Sequence, residues 1–205
     1  MVRLSLRLFV LGVLALVLGT PAFGYTVVNT TSNVTCLFTT SSPCSVTVTD
    51  YSSPVLGSGF VQSRVFQGQP GSTAAGKWVY LYRIDLRQVA GIGFIPYVDQ
   101  LAIYNAGPLL QYDFNFNGVA TDQVYNVTVG GLGTKAVTTA WLSGGYSYFD
   151  LSNPVYGGSF PGDGESSYFF GFVSDYAPVV RTIWVRRDSI SGGWLAVNGY
   201  APNAP

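Results

Sequence analysis

The chain has no histidine and a single glutamate, Glu165. The first absence removes Ser-His-Asp and Cys-His triads, histidine metal centres and imidazole acid–base chemistry together. The second leaves aspartate to supply almost every carboxylate. A glycosidase needs two facing carboxyl groups, and the spacing of Asp113, Asp150, Asp163 and Glu165 gives no reason for them to meet; solvated turn carboxylates are the simpler reading. Charge is scarce, at 10% of residues, and no basic cluster of the kind that binds nucleic acid is present. Past residue 18 no apolar run approaches the roughly 20 residues of a membrane-spanning helix. No window combines a sustained 3.6-residue apolar period with helix caps. No catalytic residue set and no cofactor site emerges, so the chain reads as a non-enzyme.

The N-terminus carries the clearest signal. Arg3 and Arg7 precede an apolar run from Leu8 to Leu18, and Pro21-Ala22-Phe23-Gly24 follows with small residues suited to cleavage after Gly24. That is the pattern of a secretory signal peptide over residues 1–24. Its apolar core is about half the length of a spanning helix. Removal leaves 181 of the 205 residues, with eight basic against ten acidic side chains and a net charge of −2. The expected location is extracellular or cell-surface, with no mature transmembrane segment.

The two cysteines, Cys36 and Cys44, enclose Leu-Phe-Thr-Thr-Ser-Ser-Pro. In an oxidising compartment a lone pair this close is expected to form a disulfide. It would staple a short Thr/Ser-rich hairpin and contribute on the order of 2–3 kcal/mol. Residues 25–50 form a strand segment around this loop, and 51–205 form the main domain.

What the chain has in plenty is aromatic residues, 15%, with 25 glycines and 11 prolines. Short strand-like runs recur at close spacing, broken by Gly and Pro. Trp78-Tyr80-Tyr82-Ile84 opposes Val79-Leu81-Arg83-Asp85, and both faces begin apolar, so Lys77–Leu86 is expected at the centre of a sheet. Leu109–Phe116 alternates as a one-face-buried strand, with Phe114 and Phe116 inward, and ends at Asn117-Gly118. Tyr51–Pro54 reads as a turn. The stretch from Glu165 to Asp188 reads as strand, turn at Asp175-Ala177-Pro178, then strand. About ten to twelve such strands predict an all-β antiparallel sandwich, immunoglobulin-like or jelly-roll-like.

Three candidate sites arise from these residues. Sugar faces stack on exposed indole and phenol rings, and Trp78, Trp141, Trp184 and Trp194, with Tyr146, Tyr148, Tyr156 and Tyr168, are the candidates; Trp194, Trp141, Tyr146 and Tyr148 come first among them, with Trp194, beside Gly193, expected to be the most exposed, while core packing is the simpler reading of such residues. Asp113, Asn115, Asn117 and Asp122 resemble the start of a D-x-N-x-N-G calcium loop, but the twelfth position, which should be a bidentate carboxylate, is Val124. Asn29, Asn33 and Asn126 each begin an N-x-Thr glycosylation pattern, which Thr/Asn-rich strands also produce by chance.

Three segments together resemble a known class: Tyr125–Thr134 (YNVTVGGLGT), Gly164–Phe172 (GESSYFFGF) and Ser174–Pro178 (SDYAP). They are similar to the secreted β-sandwich proteins of bacteria that carry exosortase sorting tails, the PEP-CTERM class. The likeness covers about residues 60–200 and lies in texture, not in an invariant motif. It departs from the class at Ala201-Pro202-Asn203-Ala204-Pro205, which lacks the Pro-Glu-Pro, apolar helix and basic cluster of a sorting tail. The resemblance implies a surface or matrix protein without defined catalysis. The expected role is adhesion, scaffolding or self-assembly by strand addition, with the Tyr25–Thr35 segment as a possible inserting strand. The alternative is a carbohydrate-binding module, so the expected partners are other copies, other surface proteins or polysaccharide.

Overall fold

A computed structural model of the chain describes residues 23–187 and 193–205. The signal-peptide reading covers residues 1–24: residues 1–22, like Asp188 at the end of the Glu165–Asp188 stretch, lie outside the described residues, whereas Phe23 and Gly24 begin the first strand. The described chain folds into two six-stranded sheets packed face to face. The first, sheet A, contains β1 (Phe23–Tyr25), β8 (Thr139–Ser143), β9 (Tyr146–Tyr156), β6 (Tyr97–Tyr104), β11 (Pro178–Arg187) and β12 (Trp194–Pro202), side by side in that order. Sheet B runs β2 (Val27–Thr31), β7 (Val124–Val129), β10 (Phe170–Ser174), β5 (Trp78–Asp85), β4 (Phe60–Gln67) and β3 (Thr49–Pro54). The expected all-β sandwich is thus the fold. One pairing departs from the antiparallel expectation: β2 lies parallel to β7.

The core follows from the alternation in the strands. Tyr80 and Tyr82 of β5 and Phe172 of β10 stack as neighbours, with ring centroids 5.2 and 6.1 Å apart. Phe149 of β9 reaches across from sheet A and lies parallel to Phe172 at 5.7 Å. Buried phenols need partners: the Tyr80 hydroxyl donates to the Tyr176 carbonyl at 2.8 Å and that of Tyr82 to the Tyr200 carbonyl at 2.6 Å. β5 is flanked on both sides, by β10 and β4, as its two apolar faces predicted.

Both sides of the sandwich are closed. On one side β1 and β2 are separated only by Thr26, so the N-terminal segment gives an edge strand to each sheet. On the other, the Asn198 and Tyr200 backbone N–H groups of β12 donate to the Ser53 and Ser63 hydroxyls of β3 and β4, at 3.3 and 3.0 Å.

Several expectations are corrected. Tyr51–Pro54 is not a turn but most of β3, pairing with β4 from Thr49↔Val65 to Pro54↔Phe60. Leu109–Phe116 is not a strand; a lone bridge, Tyr112↔Asp122, stands in its place. Phe114 is fully buried, whereas Phe116 is half exposed at φ 58°. The two strands of Glu165–Asp188 do not form a hairpin. β10 belongs to sheet B and β11 to sheet A, so the Asp175–Ala177 connection crosses the sandwich. Alternation identifies strands but is blind to which sheet receives them.

The disulfide is formed, with Cys36 and Cys44 Cα atoms 4.8 Å apart. It does not close a hairpin. Cys36 lies in a 3₁₀ turn, Ser32–Leu37, and Cys44 in irregular chain. The turn, together with Phe38 and Phe114, covers the outer face of sheet B. Val34, Phe38, Phe66, Val79, Phe114, Tyr125 and Val173 form a second buried cluster there, separate from the inter-sheet core. Sheet B is therefore covered on both faces, and sheet A on its inner face only. A structural disulfide marks an oxidising, non-cytoplasmic environment. No described helix is long and apolar enough to cross a membrane.

Candidate aromatic binding face

The uncovered face of sheet A is where the aromatic candidates meet. Strand alternation turns every second residue outward. In β6 Leu101 and Ile103 enter the core, which leaves Ala102 and Tyr104 outside; in β11 Ile183 and Val185 enter it, leaving Thr182, Trp184 and Arg186. Register then aligns these residues across the sheet. Gly24, Trp141, Tyr148, Ala102, Trp184 and Ala196 pair in succession, one residue from each of the six strands.

A two-residue turn sets the left half of this row. Gly144 and Gly145 join β8 to β9 with φ of 57° and 81°, the positive pair required by a hairpin turn that matches strand twist. The turn places Trp141 directly opposite Tyr148, and their rings stack at 5.3 Å with only 8° between planes. Trp141 thus backs one side of Tyr148. Tyr146 lies 6.4 Å from Tyr148, and Tyr104 meets Tyr146 edge-on at 5.4 Å. Trp194, from the far strand β12, approaches Tyr148 edge-on at 6.0 Å.

These rings enclose a hollow of about 300 Å³, lined by Ala102, Tyr146, Tyr148, Trp184 and Trp194. A second hollow adjoins it and shares Tyr146 and Trp184. Its lining adds Tyr104, Arg181, Thr182 and Ala196. The Arg181 guanidinium lies over the Tyr104 ring at 4.9 Å and donates to the Pro202 carbonyl at 3.3 Å. The Tyr104 hydroxyl donates to the Pro205 carbonyl at 3.0 Å.

On the other flank of the first hollow the next row carries charge. Thr139, Asp150, Gln100, Arg186 and Trp194 pair across the strands. Arg186 holds Asp99 through two contacts, at 2.7 and 3.0 Å, and lies 3.7 Å from Asp150. The hydrogen bond to Asp99, and then the charges of Asp99 and Asp150, raise the Arg186 pKa above its ordinary value. Gln100 donates to Asp150 at 3.4 Å. The face therefore offers apolar ring surface bordered by planar hydrogen-bonding groups.

The structure brings five of the eight sequence candidates together: Trp141, Tyr146, Tyr148, Trp184 and Trp194 share one face, whereas Trp78 lies in β5 of sheet B, Tyr156 packs on Tyr97 at 5.3 Å at the other end of β9, and Tyr168 lies outside the strands. Trp194 is the most exposed of the four tryptophans, at 39%. Ala102 completes the site. Nothing in the sequence marks Ala102, whose role comes from register alone.

The other candidates are placed differently. Asp113 accepts the Asn117 and Gly118 backbone N–H groups, at 2.9 and 2.7 Å, and Asn115 Oδ1 accepts that of Asn117 at 3.1 Å. Asn117 Oδ1 accepts the Val119 N–H at 2.8 Å, and Asp122 those of Phe114 and Asn115 at 3.0 and 3.3 Å. These oxygens shape the loop by satisfying its own backbone. Among the described residues no three Asp, Glu, Cys or His side chains gather to hold a metal. Glu165 pairs with Lys135 at 2.9 Å and accepts the Tyr156 N–H at 3.1 Å, Asp150 faces sheet A's outer side, and Asp163 is exposed on a turn. Of the glycosylation patterns, Asn29 and Asn33 are exposed and Asn126 is buried.

No protein-family model, curated protein or solved structure matches the chain.

Proposed function

We propose that this protein binds carbohydrate through the outer face of sheet A, as a secreted, non-catalytic component of a cell surface or extracellular matrix. The observation that carries the reading is the asymmetry between the two outer faces. Sheet B's is sealed by Phe38, Phe114 and the disulfide-tied turn. Sheet A's is left open with three tryptophans and three tyrosines in one patch. An uncovered aromatic patch of this kind is a recognition surface before it is anything else. Shallow hollows with ring walls and bordering Asp150, Arg186 and Thr182 suit a ligand with alternating apolar faces and hydroxyl edges, which describes a pyranose.

Strand addition has less in its favour. The Tyr25–Thr35 segment packs within its own domain, on β8 and β7, and β12 spends N–H groups on Ser53 and Ser63. What favours self-association is a different feature, the apolar loop end formed by Ile92, Phe94, Ile95 and Phe160, all exposed.

The test is affinity electrophoresis in gels containing soluble xylan, β-1,3-glucan, galactomannan or polygalacturonate, with intrinsic tryptophan fluorescence as the quantitative readout. Retardation in at least one polymer is expected. Trp184→Ala and Tyr148→Ala should each weaken it about tenfold or more, since stacking one aromatic ring contributes on the order of 1–2 kcal/mol. Unretarded migration in every polymer would sink the proposal.

A further inference from the structure

We infer that the sugar bound on sheet A carries an oxyanion, a uronic carboxylate or a sulfate ester, and that Arg181 receives it in the second hollow. This rests on the carbohydrate reading above and names its ligand class.

Arg181 is a cation left without a counter-charge. Arg64 pairs with Asp50, Lys77 with Asp175, Arg83 and Arg87 with Asp85, Lys135 with Glu165, and Arg186 with Asp99. Among the described residues Arg181 forms no ion pair. Of its N–H donors, one goes to the Pro202 carbonyl at 3.3 Å. The Tyr104 ring, 4.9 Å away, stabilises the charge without neutralising it. The Pro205 carbonyl engages the Tyr104 hydroxyl at 3.0 Å and not the guanidinium. A guanidinium edge presents its donors as a fork, which matches the paired oxygens of a carboxylate or a sulfate.

The surroundings suit a sugar that bears such a group. The hollow measures about 510 Å³, and no carboxylate lines it: Tyr104, Tyr146, Thr182, Trp184 and Ala196 accompany the guanidinium. Thr182 is exposed, and Asn198, its partner across β12, is exposed as well. A hydroxyl, an amide and a cation therefore stand beside ring surface.

Charge is distributed unevenly over the face. At the other flank Asp99 and Asp150 share Arg186, so two carboxylates meet one guanidinium there. Arg186 follows Arg181 by five residues in β11, about 17 Å at ordinary strand rise. That is about two Debye lengths at physiological ionic strength, so the carboxylate excess does not cancel the pull of Arg181. It does repel a second anion. A polymer with an acid on every unit sets like charge against that flank, whereas a neutral chain with occasional acidic units does not. Sparse acid is the better fit.

The experiment titrates the purified protein, followed by tryptophan fluorescence, with two matched pairs. One is glucuronoxylan against the same polymer after carboxyl reduction; the other is a neutral galactan against its sulfated counterpart. The acidic member of at least one pair should bind about tenfold more tightly or better, the size of a charge-assisted contact. Which pair responds tells carboxylate from sulfate. Arg181→Gln should bring the acidic member down to its neutral partner and leave the neutral affinity as in the parent. Arg64→Gln makes the same change of charge on the outer face of sheet B and should alter neither pair. Should the Arg181 variant misfold, the matched pairs on the parent protein still decide. Binding that ignores the anion overturns the inference and leaves the carbohydrate reading standing. So does an acidic preference that survives Arg181→Gln, or one that falls equally in Arg64→Gln. Absence of binding to all four polymers, and to those of the retardation test, overturns both.

Discussion

Asn126 does the work of a strand with one side chain. Its Oδ1 accepts the Val137 N–H and its Nδ2 donates to the Val137 carbonyl, both at 2.9 Å, with a further bond to Asn29 Oδ1 at 3.2 Å. The chain before β8 is thereby fixed onto β7 where no backbone pairing is available. The residue is 1% exposed, and its amide nitrogen is fully engaged, so the Asn126-Val127-Thr128 pattern is a structural feature and not a glycan acceptor in the folded protein. Replacing it by alanine strands two buried backbone groups, each costing about 1–3 kcal/mol. We expect Asn126→Ala to lower unfolding free energy by about 2–5 kcal/mol in urea titration. Asn29→Ala, at an exposed position, should cost less than about 1 kcal/mol. Equal, small effects of the two would show that the side-chain bridge contributes little.

At the scale of elements, the 3₁₀ turn Ser32–Leu37 owes its position to two devices. Thr31 caps it, accepting the Asn33 N–H at 3.2 Å, and Cys36 ties it to Cys44. The lid it forms is held to the rest of the chain by the Gln69 N–H to Phe38 carbonyl bond at 2.8 Å and the Thr30 hydroxyl to Phe114 carbonyl bond at 2.6 Å. Replacing both cysteines by serine should therefore cost about 2–3 kcal/mol, the amount expected for a loop of this length. It should leave polysaccharide retardation unchanged, because the lid covers sheet B and the proposed site is on sheet A. A double variant that keeps its stability but loses retardation would contradict that separation. Individual strands such as Trp78–Asp85 and Pro178–Arg187 were legible in the sequence because alternating aromatic and β-branched residues encode them locally. The lid was not. Phe114 and Phe116 have strand parity, yet Asp113 and Asp122 curl that segment by capping its N–H groups, a side-chain effect that outweighs alternation. The aromatic site was half legible: alongside Trp78, Tyr156 and Tyr168, which lie elsewhere, Trp141, Tyr146, Tyr148, Trp184 and Trp194 could be named as candidate rings. Their convergence around Ala102 depends on which strands become neighbours, and residues 102, 148 and 184 are too far apart in sequence for local pattern to say so.

For the molecule as a whole, stability rests on a core built from tyrosine as much as from phenylalanine, and this ties it to pH. Burial raises the pKa of Tyr80, Tyr82 and Tyr125, and burial likewise raises those of Tyr25 and Tyr112. Each keeps its proton in the folded state at a pH where the unfolded chain, with ordinary phenols near about 10, loses it. Above that pH the unfolded state binds fewer protons than the folded one, so stability is fully present below about pH 10 and declines as pH rises beyond it. The slope is about 1.4 kcal/mol per pH unit for each such tyrosine, and several act together. With no histidine in the chain, imidazole titration adds nothing to the pH dependence between about 5 and 8. We therefore expect an unfolding free energy that falls steeply above about pH 10, ending in one cooperative transition. In that transition phenolate absorbance at about 295 nm and loss of the β-sheet dichroism coincide for the core tyrosines. If all fourteen tyrosines ionised while the dichroism remained that of the folded protein, the core rings would have to be reached by hydroxide without unfolding. The packing of Tyr80 and Tyr82 on Phe172 would then be looser than their 5.2 and 6.1 Å ring separations indicate.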